Sequence, residues 1–264
     1  MIDRPRRTLE TLILSVALAA LPAVALEAQT AAATKTADQA KKQPNWDLRL
    51  GLSFLATGGN SRTRSLGFDA TYDQDWRRWG LSSGATAINN SDQGTTSAER
   101  YAAFVRGKRA VSPRLAMTAG LKGERDRFAG IDLRTVTDAS LEEKWVTSDR
   151  LTLSTLSGVT WTRERAIGGI VHNDLGALLS AHGELDFSSA SSLTLELTYF
   201  PDFTRSRAYR LEGKAAVQAA MSSHLALRLG AGYKFNNDPP PGFGTTDTTA
   251  TASLVIQLGR AKKP

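Results

Sequence analysis

Hydrophobic and polar residues alternate one by one through most of the chain after residue 45. The stretch "LRLGLSFLATGGNSRTRSLGFDATYDQDWRRWGL" shows this most clearly, because every second residue from Leu48 to Phe54 is apolar. After Gly-Gly-Asn the alternation resumes at Leu66. Since successive side chains of a β-strand point to opposite faces, this stretch predicts a β-hairpin with one apolar face.

The same period of two recurs up to about residue 258, and helical periodicity is never sustained. We count about twelve such segments, most of them about 9 to 14 residues long. The clearest is 225–235, where leucines, Tyr233 and Phe235 oppose Arg228 and Lys234. The pattern therefore predicts an all-β fold.

The connections between these segments differ in length from one to the next. One set is short: "QDWRR", "VSPR", "TSDR", "SSAS" and "MSSH". The other set is mostly longer: "TGGNSRT", "NNSDQGTT", "RFAGID", "ERAIGGIVHN", "PDFTRSR" and "NNDPPPGFGTT". Short turns at one end of a meander and long loops at the other are typical of outer-membrane barrels.

Alternation alone does not say whether the apolar face meets lipid or a protein core. A tilted membrane strand needs about 9–11 residues, whereas ordinary strands cluster near 5–6. We therefore predict a transmembrane antiparallel up-and-down β-barrel of about twelve strands over residues 46–260. An even strand count would place both termini in the periplasm. A secreted soluble β-sandwich that acts as a binding module is the alternative.

In such a barrel the alternate strand positions that carry polar side chains face inward. Two interpretations of its charges stay open: they pair into a plug, or an excess of basic side chains lines a passage for small anions. The predicted interior residues are Arg49, Asp69, Arg100, Arg106, Lys108, Lys122, Glu124, Glu142, Lys144, His182, Glu184, Glu196, Arg210, Glu212, Lys214, Arg228 and Lys234.

Aromatic residues concentrate near the ends of the predicted strands, as two interfacial girdles would require. The girdle near the short turns is predicted to contain Trp46, Trp76, Trp79 and Trp145. The girdle near the long loops is predicted to contain Trp161, Tyr233 and Phe235, with Phe128, Phe200 and Phe203 nearby.

The first residues predict export from the cytoplasm. Arg4, Arg6 and Arg7 precede an apolar run, and small residues follow at Ala23 and Ala25, which is the layout of a secretory signal peptide. We expect a signal peptide over 1–25, with cleavage after residue 28 as the alternative, and a flexible periplasmic leader over 26–45. Together with the barrel, this predicts the outer membrane.

Composition limits the partners and cofactors. The formal net charge is +7, but the basic residues are scattered and no nucleic-acid motif is present, so no nucleic-acid partner is expected. The chain has no cysteine. Asp73 with Asp75, and Asp238 with Asp247, lack the spacing of a calcium loop, so we expect neither metal nor cofactor. The expected partners are outer-membrane lipid and, during biogenesis, the barrel-assembly and periplasmic chaperone machinery.

An enzyme is the second functional hypothesis, since a barrel can act as a lipid hydrolase with a serine nucleophile and a histidine base. Ser180, His182 and Glu184 share the interior parity, which is the wrong place for attack on lipid outside the barrel. We predict no enzyme.

"DPPPGFG", residues 238–244, cannot pair as strand interior and is predicted to be a stiff, protruding loop that serves as a contact site.

The segment 46–76, "WDLRLGLSFLATGGNSRTRSLGFDATYDQDW", resembles the start of the uncharacterised salt-induced outer-membrane protein family. Trp46, Gly51-x-Ser53 and the Gly59-Asn60-Ser61 hairpin carry the resemblance, which extends loosely to "TASLVIQLG". It implies a signal-bearing outer-membrane barrel and a link to salt or osmotic stress. The leading functional prediction is a structural protein or a narrow pore of unknown substrate. The family pattern provides no activity. The ending "LGRAKKP" departs from the terminal aromatic of many outer-membrane strands.

Overall fold

A computed structural model describes residues 45–56, 63–92, 95–205 and 208–259. The predicted signal peptide and, apart from Asn45, the predicted leader lie outside the described residues. The strands are β1 Trp46–Ala56, β2 Thr63–Asp75, β3 Trp79–Asp92, β4 Thr95–Ala110, β5 Leu115–Asp126, β6 Ile131–Thr147, β7 Leu151–Ala166, β8 Val171–Ser188, β9 Ser191–Pro201, β10 Tyr209–Ala220, β11 Leu225–Asn236 and β12 Thr246–Gly259. A 3₁₀ turn, Arg127–Ala129, links β5 to β6.

These strands form one closed antiparallel barrel. Each strand pairs with the next along the chain, and β12 pairs with β1 from Asp47↔Gly259 to Ser53↔Ser253. The predicted up-and-down barrel of about twelve strands is confirmed, and the soluble β-sandwich is wrong. Over the part of the chain that is described, no helix is long and apolar enough to cross a membrane.

The two rims of the barrel differ in their connections. The turn rim carries connections 76–78, 111–114, 148–150, 189–190 and 221–224. The loop rim carries connections 57–62, 93–94, 127–130, 167–170, 202–208 and 237–245. The strand count is even, so the first and last strands both have their outer ends at the turn rim.

Strands extend further than the hydrophobic pattern predicts, up to 18 residues in β8. The loops predicted from "NNSDQGTT", "RFAGID" and "ERAIGGIVHN" shrink to 93–94, 127–130 and 167–170. Pairing between neighbouring strands satisfies backbone N–H and C=O groups whether or not the side chains are apolar. The ladder therefore continues past the ends of the alternating segments.

The alternate strand positions occupied by leucines face outward around the barrel. Leu52 is 58% exposed, Leu195 is 49% exposed and Leu227 is 45% exposed. Arg49 and Arg228, of the opposite parity, form ion pairs inside the barrel. A continuous apolar surface of this kind is stable against hydrocarbon and not against water. The sidedness is therefore that of a membrane barrel.

Tryptophans mark the turn rim on the outer surface. Trp76, Trp79 and Trp145 are exposed, and the Trp145 indole N–H donates to Thr155 Oγ1 at 2.9 Å. Arg109 lies over the Trp79 ring at 5.3 Å from its centre. Trp46 packs beside Gly259 at the seam between β1 and β12.

Aromatic rings also mark the loop rim. Trp161 is exposed and lies ten residues along β7 from Leu151. At the usual rise and tilt this is about 25 Å, the height of the apolar band of an outer-membrane barrel. Three strands further round the barrel, Tyr209 lies between Tyr199 and Phe235, with ring centres 5.8 and 5.6 Å apart.

One aromatic expectation at the loop rim is wrong. Phe200 is buried in the interior, because it shares the parity of Glu196 and Thr198 on β9. Tyr233 and Phe203 are exposed. The side chain of Phe128 lies outside the described part of the structure.

Candidate functional site

The barrel interior is lined by charges of both signs. Among the described residues, carboxylates outnumber basic side chains there, so the excess of basic residues expected from the sequence is reversed. The inward basic residues are Arg49, Arg100, Arg106, Lys108, Lys122, Arg134, Lys144, Arg210, Lys214, Arg228 and Lys234. The inward acidic residues are Asp47, Asp69, Asp73, Glu124, Asp126, Asp138, Glu142, Glu164, Asp174, Glu184, Asp186, Glu196, Glu212 and Asp247.

Many of these charges pair along the wall, between strands that lie close together. Arg106 on β4 makes two hydrogen bonds to Asp138 on β6, at 2.7 and 2.8 Å, and a third to Thr118. Lys108 contacts Glu142 at 3.4 Å. These pairs reach over one intervening strand and stiffen the wall without crossing the barrel.

A second group of pairs lies nearer the turn rim. The Arg49 guanidinium contacts Asp73 at 2.8 Å and Asp47 at 3.0 Å. Ser82 also donates to Asp73, at 2.6 Å. Asp73, which we considered as a calcium ligand, is thus already neutralised by Arg49. Arg228 on β11 contacts Asp69 on β2 at 2.6 Å.

The most buried charges form a layer closer to the loop rim. Glu124 is 2% exposed and accepts from Lys234, while Arg134 Nη1 lies 3.7 Å from its other oxygen. Arg134 donates to Glu164 at 2.7 Å. We call this set the charge layer; its members are Arg100, Lys122, Glu124, Asp126, Arg134, Glu164, Glu212 and Lys234.

Three ion pairs of the charge layer cross the barrel, and one of them joins Lys234 Nζ to Asp126 Oδ2 at 3.9 Å. Lys122 Nζ on β5 lies 2.8 Å from Glu212 Oε2 on β10, and Lys234 on β11 contacts Glu124 on β5. Around the closed ring β5 stands almost opposite both β10 and β11. These pairs therefore tie one side of the barrel to the other.

The crossing pairs also show that the barrel is narrow at this level. Strands about 4.8 Å apart and tilted by about 40° would place opposite backbones about 24 Å apart in a circular section. A lysine and a glutamate in contact reach at most about 14 Å between their Cα atoms. The section at Lys122 and Glu212 is therefore flattened.

A cavity of about 490 Å³ lies between the charge layer and the turn rim. It extends from Asp75 and Gly80 to Lys122 and Glu212. One part of its wall is apolar, formed by Val136, Leu156, Leu178 and Phe200. Within the described residues, the cavities above the charge layer hold only about 30 Å³ each. We call the cavity of about 490 Å³ the vestibule; it is much larger than the two cavities above the charge layer.

Some polar atoms of the charge layer keep unused hydrogen-bonding capacity. Glu124 Oε2 and Arg134 Nη2 are buried and have no hydrogen-bond partner among the described residues. The Arg210 guanidinium lies 4.8 Å from the centre of the Phe200 ring. Buried polar groups of this kind normally bind water.

The connection 237–245 folds across the mouth at the loop rim. A Cβ atom on Gly130 would lie 2.6 Å from the Phe243 ring, so that ring packs directly on the Gly130 backbone. Pro240 is buried, and Asp238 contacts Arg205 at 2.7 Å. The prediction that this proline-rich loop protrudes is wrong, because the glycine at 130 leaves space for the phenylalanine.

Arg205 joins the neighbouring connection to this cover. Its guanidinium contacts Asp174, Asp202 and Asp238, at 2.7, 3.5 and 2.7 Å. Burial alone lowers the pKa of Arg205, but the hydrogen bond to Asp174 and the three carboxylate charges outweigh burial and raise that pKa. Arg205 therefore stays charged and holds the two loops together at any physiological pH.

The residues considered for a hydrolase lie on the inner face of the barrel. Ser180 and His182 line the vestibule, and the Ser180 hydroxyl shares a 2.9 Å hydrogen bond with Thr198. Glu184 and Lys144 lie on the inner face nearer the turn rim. In the described ranges no three His, Asp or Glu side chains are grouped to hold a metal ion.

Sequence reasoning missed several charges of the interior. Arg134, Asp138 and Glu164 are buried inside, yet none of them was proposed as an interior residue. On β6 the apolar Val136 shares their inward parity, while Leu133 and Leu141 point outward. When apolar residues occupy both sets of alternate positions of a strand, the sequence does not show clearly which face is charged. The segment "DASLEEKW" nevertheless shows the alternation.

A closed barrel with an apolar exterior and a charged interior is a transmembrane β-barrel. The chain belongs to the family described as "Protein of unknown function, DUF481", whose model matches residues 50–258. No curated protein matches the sequence.

Solved structures share the fold at low sequence identity. An outer membrane channel from Pseudomonas putida F1 is 10% identical with a TM-score of 0.50, over 84% of this chain and 100% of that one. The NanC porin is 13% identical with a TM-score of 0.45, over 81% of this chain and 98% of that one. Likeness at such identities concerns the fold.

Proposed function

We propose that the protein is an outer-membrane channel of narrow bore, held in a poorly conducting state by ion pairs across its interior. The observation that carries the proposal is the contact of Lys122 with Glu212, which joins opposite sides of the barrel. The vestibule gives access from the turn rim, and the cover formed by 237–245 restricts the loop rim. Only small hydrated ions and solutes would pass such a layer.

The charge balance of the interior supports a preference for cations. Carboxylates outnumber basic side chains on the inner face of the described strands, as noted above. A wall with a net negative charge concentrates cations and repels anions in a low-dielectric bore. It replaces the passage for small anions, which was one of the two interpretations that the sequence left open.

Conductance across a planar lipid bilayer tests the proposal. We expect small, cation-selective currents from the wild-type protein and a severalfold larger conductance from the double variant Lys122→Ala with Glu212→Ala. Removing both partners avoids leaving one buried charge unpaired. The variant Lys108→Ala with Glu142→Ala is the matched control, because it removes a pair of the same chemistry that lies along the wall.

The result is decided by the comparison between the two variants. If neither the wild type nor the Lys122 and Glu212 variant conducts while both fold, the protein is a structural barrel and not a channel. If both conduct equally, the crossing pair does not limit the current. An equal rise in both variants would assign the effect to loosening of the barrel and would contradict the role of the crossing pair.

The proposed orientation places the turn rim in the periplasm and the long loops outside the cell. It is supported by the short connections at one rim, which are typical of the periplasmic side of outer-membrane barrels. The even strand number then brings both termini to the periplasm. Insertion by the barrel-assembly machinery, with periplasmic chaperones, is part of the same proposal.

The most specific part of the proposal is a role in tolerance of high salt. Its support is the resemblance of residues 46–76 to the salt-induced family. A strain that lacks the gene should grow more slowly than its parent in medium of raised NaCl, and the wild-type gene should restore growth. Equal growth of the two strains would remove the salt role and leave the channel proposal intact.

A further inference from the structure

The outer surface at the loop rim carries an uneven distribution of charge. Four exposed arginines lie on the sector formed by β5, the 3₁₀ turn and β7: Arg125, Arg127, Arg163 and Arg165. A different sector at the same rim, formed by β9 to β11, carries the aromatic group Tyr199, Tyr209 and Phe235. The basic sector therefore needs a separate explanation from the girdle.

The carboxylates of this sector position the arginines without neutralising them all. Asp132 contacts Arg165 at 2.6 Å and Arg125 at 3.9 Å. Glu99 contacts Arg127 at 3.1 Å. Arg163 makes no ion pair within the described residues. Two carboxylates face four guanidinium groups, so the sector keeps a net positive charge and many unused N–H donors.

The height of the cluster relative to the apolar band identifies its surroundings. Arg163 and Arg165 follow Trp161 on the outward parity of β7, so they lie about 5 and 10 Å above the indole. Trp161 marks the upper edge of the apolar band. In a bilayer this height corresponds to the polar headgroups, where the phosphate groups of lipids are found.

We infer that this outer-surface arginine cluster binds the phosphate groups of an outer-leaflet glycolipid, of the lipid A type. Guanidinium groups donate paired hydrogen bonds that match phosphate oxygens. The acyl chains of such a lipid lie against the leucines below. One phosphate lies against Arg163 and the other against Arg125 and Arg165, which Asp132 contacts. The inference rests on the proposed orientation in the outer membrane, but not on conductance.

Lipid binding to the detergent-solubilised barrel tests the inference, by native mass spectrometry. The probes are diphosphorylated lipid A, the same lipid without phosphates, and inorganic phosphate. The test variant is Arg125→Gln, Arg163→Gln and Arg165→Gln together. The matched control, Arg77→Gln, Arg78→Gln and Arg114→Gln, removes the same charge from exposed positions at the turn rim.

We expect the wild type and the control variant to bind diphosphorylated lipid A equally, and the test variant to bind it at least about tenfold more weakly. Three outcomes would overturn the site: undiminished binding by the test variant, equal loss in the control, or equally tight binding of the lipid without phosphates. Inorganic phosphate that binds with the same dependence on the three arginines would show a free-anion site and would also overturn it.

Bilayer conductance of the test variant separates this inference from the proposed function. The arginines point away from the interior, so the currents of the test variant should equal those of the wild type. Loss of lipid binding with unchanged currents supports the site. If the barrel never conducts but binds lipid A through the three arginines, the channel proposal is wrong and the lipid site stands.

Discussion

At the residue scale, burial decides how much each interior charge contributes to stability. Glu124 is almost completely buried and compensates Lys234 and Arg134 at the same time. Glu196 also faces inward, yet its side chain is 40% exposed and its partner Lys214 is 63% exposed. Ion pairs of the second kind contribute little, whereas a buried charge that loses its partner is costly.

The substitution Glu124→Gln should therefore destabilise the barrel strongly, by about 3–5 kcal/mol, because buried Arg134 and half-buried Lys234 lose their shared carboxylate. The free energy of unfolding in urea, measured on the protein reconstituted in lipid vesicles, checks this. Glu196→Gln is the matched control and should change that free energy by less than about 1 kcal/mol. Equal effects of the two substitutions would show that water screens both sites alike.

At the element scale, long strands hold the site and one connection closes it. The strands extend past the apolar band, which places the charge layer and three of the four clustered arginines on paired strands, while Arg127 lies in the 3₁₀ turn. The connection 237–245 is different, because the contact of Phe243 with Gly130 and the pair of Asp238 with Arg205 keep it over the mouth. Such few contacts can open without unfolding the barrel.

Phe243→Ala should release this cover and increase the frequency of large current steps in single-channel recordings, with little change in thermal stability. The physical reason is the loss of the ring that packs on Gly130. Phe203→Ala is a suitable control, since Phe203 is exposed on the neighbouring connection. Recordings from the Phe243 variant that match the wild type would show that the charge layer alone limits the current.

At the scale of the whole molecule, the lipid solvent determines which face carries the charge. Leucines cover the outside, so the interior must accommodate almost all charges of the spanning strands. Pairing along the wall and across the barrel is the way in which a low-dielectric interior can hold them. The net charge of +7 hides this arrangement, because the inner face is acidic while arginines occupy both rims of the outer surface.

Much of the fold follows from local rules that can be read along the chain. Alternation with a period of two, strand lengths above those of soluble sheets, and unequal connections were sufficient to predict the closed barrel and the outward leucines from Leu48 to Leu227. The number of strands followed from the same count. Each of these features depends on neighbours in sequence, and backbone pairing between consecutive strands then completes the barrel.

The parts that failed depend on contacts between residues far apart in the chain. The inward side of β6 was obscured by Val136, and the cover formed by 237–245 depends on contacts with Gly130 and Arg205 in two other connections. The pair of Lys122 with Glu212 joins residues 90 positions apart. Sequence alone determined that charges line the interior, whereas the flattened section of the barrel decided that they meet across it, since side-chain reach is fixed and the distance between walls is set only by the folded barrel.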